Sequence, residues 1–283
     1  MKKITKVNDI HAFSNEKKRE GRKIALIPTM GYLHEGHLSL VRKAAELADI
    51  VIVSIFVNPT QFAPNEDLNK YPRDEKRDIK LLEDLKVDAV FIPKVEEIYS
   101  QDFQTNVEVG QITQKYEGEF RPTHFKGVTT IVAILFNCVK PDIAIFGQKD
   151  AQQAAVIIQM VRDLKFDIEI IVAPIVRESD GLALSSRNVY LSEQERKDAL
   201  VLNRSLLTAR EIIKNGEYKT DNIIRKMTEI INSVNTSKID YIRIVNTTNF
   251  SEVKNLENGK EFYILIACKI GKTRLIDNLL VKL

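Results

Sequence analysis

The sequence predicts an α/β fold: a doubly wound, Rossmann-like parallel sheet followed by a smaller C-terminal α+β domain. Three observations predict it. Short, continuous apolar runs alternate with amphipathic helical stretches, the pattern of parallel strands buried on both faces. Polar, glycine-containing segments fall directly after those runs, where strand carboxyl ends bind ligands in such sheets. After Arg187 the rhythm changes to two helices and a few strands, so the chain of 283 residues is expected to divide into domains at 1–175 and 176–283.

Taken in order, Ile24–Pro28 is the first strand, closed by its proline. A helix then opens near His37, with Leu38, Val41, Ala45 and Ala48 on one face. Ile50–Val57, rich in Val and Ile, is the second strand, Asp74–Lys86 a helix and Ala89–Ile92 the third strand. Thr123–Val139 begins as loop and becomes helix; Asp142–Phe146 is the fourth strand, Asp150–Leu164 a helix and Ile168–Val172 the fifth strand. Crossovers between parallel strands should be right-handed. In the C-terminal part, Ser192–Asn215 and Thr220–Val234 read as helices, the first opened by the capping box Ser192-Glu193-Gln194-Glu195. Ile239–Val245 and Phe262–Cys268 read as strands, with a shorter one near Thr273–Asp277.

Charge excludes some functions. Lys and Arg number 42 against 39 Asp and Glu, and a net +3 is too weak for a nucleic-acid or membrane surface. The basic stretch Lys17–Lys23 reads as a solvated helix end. Cys138 and Cys268 lie far apart in apolar runs and read as buried free thiols of a reducing compartment. No long apolar segment follows Met1–Lys6, and the run Gly127–Val139 is too short to span a bilayer. The expectation is a cytoplasmic protein.

The chemistry gathers after the first strand. Pro28-Thr29-Met30-Gly31-Tyr32-Leu33-His34-Glu35-Gly36-His37 places two histidines at the start of a helix. A helix N-terminus offers free N–H groups and partial positive charge, and imidazole N–H groups add donors aimed at phosphate oxygens. The segment reads as an ATP site suited to reaction at the α-phosphate. A zinc-protease helix needs its histidines four residues apart, and these are three apart. Two capping or core histidines are the bland reading, and for the pair alone it is as good; the other strand ends decide.

Asn58-Pro59-Thr60-Gln61-Phe62 follows the second strand, and Gly147-Gln148-Lys149-Asp150, with Gln153, follows the fourth. Lys149 is a mobile cation for phosphate. Gln61 and Gln153 can both donate and accept, which suits a ligand with hydroxyls and a carboxylate. After the fifth strand come Pro174–Glu178 and then Asp180–Asn188, a loop with two hydroxyls and an arginine able to close over polyphosphate. No Gly-x-Gly-x-x-Gly follows a strand, and Gly271-Lys272-Thr273 sits between strands as a surface hairpin rather than a P-loop.

Six segments now carry a resemblance: Pro28-Thr29-Met30-Gly31-x-x-His34-x-Gly36-His37, Phe56-Val57-Asn58-Pro59-x-Gln61-Phe62, Tyr71-Pro72-Arg73, Arg121-Pro122-x-His124-Phe125-x-Gly127-Val128, Phe146-Gly147-x-Lys149-Asp150-x-Gln152-Gln153 and Leu184-Ser185-Ser186-Arg187-Asn188. Over nearly its whole length the chain resembles the pantoate–β-alanine ligases (pantothenate synthetases), of the His-x-Gly-His nucleotidyltransferase superfamily. The resemblance implies that ATP and pantoate form pantoyl adenylate and pyrophosphate, with Mg2+ on the phosphates, and that β-alanine then displaces AMP. It implies ATP contacts from Met30, Gly31, Tyr32, Leu33, His34, Glu35, Gly36 and His37. It adds Gly147, Gln148, Lys149, Asp150, Val176, Leu184, Ser185, Ser186 and Arg187. Gln61 and Gln153 would hold pantoate, Gln61 would also serve β-alanine, and a homodimer is expected.

The residues agree with that chemistry. Negative charge grows on departing pyrophosphate, and His34, His37, Lys149 and Arg187 are fitted to stabilise it, which makes them the catalytic candidates. For His37, proton donor and neutral hydrogen-bond donor both stand. The adenylate is labile to water, which gives a lid a purpose. The chain departs from the family in two places. Gln148 stands where Glu is common, and Arg77-Asp78 where an acidic pair is common. Asp78 is left as the candidate magnesium ligand, and no metal residue is assigned. Arg121 and His124 either reach substrate from a loop or serve the structure. The main alternative function is a nucleotidyltransferase adenylylating or cytidylylating a phosphorylated small molecule, which would call for more Arg and Lys than the Gln61/Gln153 pair provides. An aminoacyl-tRNA synthetase relative would need more than the C-terminal part for tRNA, and a non-catalytic nucleotide-binding regulator has no use for second-substrate anchors.

Overall fold

A computed structural model of the chain describes every residue except Pro64, Asn65 and Asp67. It divides into two compact units, Met1–Gly147 with Gln152–Pro174, and Gln148–Ala151 with Ile175–Leu283. The first runs β1 (Lys2–Ile4), α1 (Val7–Arg19), β2 (Ile24–Thr29), α2 (Glu35–Leu47), β3 (Ile50–Ile55), α3 (Glu75–Asp84), β4 (Ala89–Phe91), α4 (Val95–Ile98), α5 (Glu117–Phe120), α6 (His124–Val139), β5 (Ile143–Gly147), α7 (Ala151–Leu164) and β6 (Glu169–Ala173). The second holds α8 (Glu193–Asp198), α9 (Leu200–Lys214), α10 (Thr220–Ile231), β7 (Ser237–Asn246), β8 (Glu261–Ile270) and β9 (Thr273–Lys282).

The first unit is built on a six-stranded sheet in the order β1-β4-β3-β2-β5-β6, every pair parallel. Alternate residues of each strand point to opposite faces. Ile24, Leu26, Ile50, Ile52, Phe91 and Phe146 thus join the core made with α1, α6 and α7. Their neighbours Ala25, Ile27, Val51, Val53, Val90 and Ile145 join a second core with α2 and α3. Burial on both faces is why these strands read as unbroken apolar runs; each such Ile or Val contributes about 1.5–3 kcal/mol relative to exposure.

The chain steps from β2 outward to β3 and β4, then returns to the other side of β2 with β5. The carboxyl ends of β2 and β5 therefore flank the point where strand order reverses, the position that binds ligands in doubly wound sheets.

In the second unit β7, β8 and β9 form an antiparallel sheet, with Leu202, Leu206 and Ala209 of α9 and Ile223, Met227 and Ile231 of α10 in its core. The tight hairpin at Gly271 needs a left-handed residue (φ +58°), and a Cβ there would strike the Glu195 carboxylate at 1.7 Å. The surface-hairpin reading of Gly271-Lys272-Thr273 therefore holds.

Several boundaries moved. The edge strand β1 was not foreseen. The single helix expected over Ser192–Asn215 is two, joined at Ala199. β9 runs on to Lys282 instead of stopping near Asp277. No helix among the described residues is long and apolar enough to cross a membrane.

Candidate active site

The expected site residues fall in two groups, one in each unit. In the first unit His34 is the N-cap of α2 and His37 its third residue, as the sequence predicts. Their rings lie 4.0 Å apart, tilted by 34°. The His34 N–H donates to His37 Nδ1 over 3.3 Å. That contact needs Nδ1 bare, so it favours a neutral His37 ring whose proton sits on Nε2. The His37 N–H turns back to the His34 carbonyl at 2.8 Å. Glu35 and Gly36 open the helix, where N–H groups have no acceptor inside it.

The loop before the helix is tightly wound. Gly31 (φ +81°) and Tyr32 (φ +49°) are both left-handed, and a Cβ on Gly31 would come within 2.9 Å of Ile55 and 3.1 Å of Asp78. Three successive N–H groups face the protein: Gly31 donates to Thr29 Oγ1 at 3.2 Å, Tyr32 to one Asp78 oxygen at 2.7 Å and Leu33 to the other at 2.8 Å. Burial pushes the Asp78 carboxyl above the ordinary Asp value, against the two N–H donors and Arg77, which pull it down. These three N–H groups are spent within the protein. The same geometry counts against Asp78 as a magnesium ligand. Among the described residues no group of three or more His, Cys, Asp or Glu is placed to hold a metal ion.

Beyond β3, Asn58 caps the short 3-10 turn Pro59–Gln61. It is fully buried, and sequence reading quoted it without giving it a task. Its Oδ1 accepts from Thr60 N–H and Oγ1 and from the Tyr99 hydroxyl. Its Nδ2 donates to the Gly127 carbonyl and to Gln61 Oε1. Gln61 is thereby pinned and mostly buried.

Arg121 and His124 also converge here. The Arg121 guanidinium grips both Glu66 oxygens, at 2.7 and 2.9 Å. His124 donates from Nδ1 to the Gln61 carbonyl at 3.1 Å and accepts at Nε2 from Arg121 at 3.2 Å. Burial, then the Arg121 charge, push this imidazole down to about 4. Of the two roles left open for the pair, these contacts realise the structural one. Gln153 lies half-buried in the first turn of α7, after β5. Its neighbour Gln152 is fully engaged, accepting from the Glu117 N–H and donating to the Ile112 and Lys115 carbonyls.

In the second unit, Gln148–Asp150 form a 3-10 turn, and Lys149 Nζ rests 3.9 Å from the Asp150 carboxylate. Asn278, on β9 and only 2% exposed, donates from Nδ2 to the Gln148 carbonyl at 2.8 Å and the Lys149 carbonyl at 3.0 Å, and accepts from Gln148 Nε2 at 3.1 Å. Next to it, buried Asp277 takes a two-pronged grip from Arg177, at 2.7 and 2.8 Å; burial pushes its carboxyl up while Arg177 pulls it down. Arg177 pairs with Ala183 across a short antiparallel bridge, and the Leu184 N–H reaches the Val176 carbonyl at 3.1 Å. Ser185 caps the 3-10 turn Ser186–Tyr190 that carries Arg187, accepting from its N–H. Sequence reading found the residues of these turns and quoted Arg177 without giving it a task, but gave no part to Asn278 and Asp277, which with Arg177 fasten them.

Comparison with known proteins agrees in sequence and in structure. A family model described as pantoate-beta-alanine ligase matches residues 2–280. A pantothenate synthetase of Thermoanaerobacter sp. (strain X514) is 56% identical over 275 residues, covering 97% of this chain and 96% of that protein. The crystal structure of a Thermus thermophilus pantothenate synthetase superposes with a TM-score of 0.93 at 44% identity, covering 99% of each chain. A Francisella tularensis pantoate-beta-alanine ligase, complexed with beta-gamma ATP and beta-alanine, superposes with a TM-score of 0.78 at 35% identity, covering 99% of this chain and 97% of that one.

Proposed function

The chain belongs to the pantoate-beta-alanine ligase family, and from that premise we propose how its residues join pantoate to β-alanine with ATP. The pantoate carboxylate attacks the α-phosphorus of ATP, giving pantoyl adenylate and pyrophosphate. The β-alanine amine then attacks the acyl carbon, releasing AMP and leaving pantothenate. The family match favours this over nucleotidyl transfer to a phosphorylated acceptor.

In the first unit, the stretch Met30–His37 and Gly147 serve ATP, Gln61 and Gln153 hold pantoate, and Gln61 also serves β-alanine. In the second, Gln148–Asp150, Val176 and Leu184–Arg187 serve ATP. His34, His37, Lys149 and Arg187 stabilise charge on the departing pyrophosphate. His37 does so from Nε2–H, the only ring position its contact with His34 leaves for a proton on a neutral ring. Magnesium enters with the triphosphate, and no protein side chain is assigned to it. The protein acts in the cytoplasm as a homodimer.

The observation that carries this reading is the His34/His37 pair at the start of α2, just after the strand whose neighbour β5 marks the reversal of strand order. ATP–pyrophosphate exchange tests it. Exchange should require pantoate and magnesium but not β-alanine, and the full reaction should yield AMP. A requirement for β-alanine in exchange, or ADP and phosphate as products, would overturn it.

A further inference from the structure

We propose that Asp78 and Arg77 are positioning residues that pre-set the nucleotide loop Gly31–Leu33, and that Asp78 is not a magnesium ligand. The proposal rests on the reading that Met30–His37 serves ATP. Asp78, one turn into α3, is 1% exposed and uses one oxygen for each of two successive N–H groups. A carboxylate is the side chain of this size that accepts at both ends. Arg77, beside it, takes the opposite polarity of the same loop: its Nη1 donates to the Leu33 carbonyl at 2.9 Å, and its guanidinium lies 5.3 Å from the centre of the Tyr32 ring.

The loop needs such a clamp. Tyr32 carries a side chain at φ +49°, a conformation that costs free energy and persists only when neighbours over-determine it. The clamped residues lead directly into His34, the N-cap whose N–H contacts His37. Releasing Tyr32 and Leu33 would therefore loosen both imidazoles. A divalent cation at Asp78 would have to enter a carboxylate that is 1% exposed and already holds an N–H donor on each oxygen. It would also sit beside the Arg77 guanidinium, which stands 3.6 Å from the same carboxylate.

The test compares wild type, Asp78→Asn and Arg77→Ala. Asn offers an NH2 where one N–H must be accepted, while Arg77→Ala, at a half-exposed side chain, removes only the second half of the clamp. Amide hydrogen exchange is read first, on the metal-free protein. The Tyr32 and Leu33 amides should be protected in wild type and exchange about tenfold faster or more in Asp78→Asn, with β2 and β3 amides unchanged. Steady-state kinetics are read second. Both variants should raise the KM for ATP or lower kcat, with the magnesium concentration for half-maximal rate unchanged. Unchanged protection in Asp78→Asn would overturn the clamp. A raised magnesium requirement in Asp78→Asn but not in Arg77→Ala would restore Asp78 as a ligand. Lost protection with unaltered ATP kinetics would leave the clamp standing and defeat the assignment of this loop to ATP.

Discussion

Two turns expected to serve ATP are fastened by side chains of opposite character. The Gly31–Leu33 loop points N–H groups into the protein and is held by acceptors, Thr29 and the carboxylate of Asp78. The Gln148–Lys149 turn points carbonyls inward and is held by a donor, the amide of Asn278. The buried polarity of the backbone decides which side chain can serve, because a buried donor facing a donor is left unpaired. A substitution that keeps the shape and reverses the polarity should then do more harm than one that only removes atoms.

The largest expected effect asks whether the second turn matters because of Lys149. Lys149→Ala should slow adenylation about a hundredfold or more, since one preorganised donor to a developing charge is worth about 3 kcal/mol. Reaction of supplied pantoyl adenylate with β-alanine should be nearly untouched, as no polyphosphate departs in that step. Single-turnover measurements of the two halves decide it. Equal slowing of both would make Lys149 a folding residue and remove the functional half of the comparison.

A smaller effect is expected from the clamp itself. Asn278→Asp sets carboxylate oxygens against two carbonyls and should slow adenylation roughly tenfold, more than Asn278→Ala, in keeping with about 1–3 kcal/mol for unsatisfied buried groups. In a Lys149→Ala background the further loss should largely vanish, as expected for residues acting as one unit. A full additive loss in the double variant would mean that Asn278 acts through something other than Lys149.

The smallest effect separates a titratable clamp from an amide. His124 donates to the Gln61 carbonyl much as Asn278 does to its carbonyls, but its imidazole is pushed down from 6.5 to about 4. Between those values the unfolded chain binds a proton that the folded chain refuses, so stability should fall as pH drops from about 6.5 to about 4 and level off below. The slope is at most about 1.4 kcal/mol per pH unit, the value for one proton. Denaturant unfolding across that range should show the slope in wild type and lose it in His124→Asn. An Asn278 variant should leave it unchanged.

The sequence was most legible where function is local. Strand runs, the Ser192 capping box and the placement of His34 and His37 follow from neighbours in the chain, and the observed elements agree. The clamps were not legible in this way. Asp78 lies 45 and 46 residues from the N–H groups it accepts, and Asn278 lies 129 and 130 residues from its carbonyls; no spacing rule links them. The same cause misplaced the end of β9. Asp277-Asn278 breaks the alternation expected of a strand, yet both residues are buried because Arg177 and the Gln148–Lys149 carbonyls wait for them. β1 has three residues, too few to carry a period. The break at Ala199 has neither glycine nor proline to mark it.

Each unit carries one cysteine, Cys138 on α6 and Cys268 on β8, and both are buried. Burial pushes both thiols up to about 11. A raised thiol is a poor nucleophile, and with Cys138 4% and Cys268 0% exposed a thiol reagent must wait until the surrounding structure opens. The native chain thus contains two chemical clocks. The rate at which Cys138 is modified times the opening of the parallel-sheet unit, and the rate at Cys268 times that of the antiparallel one. Peptide mapping of a single labelling series would read both without adding a probe to the protein.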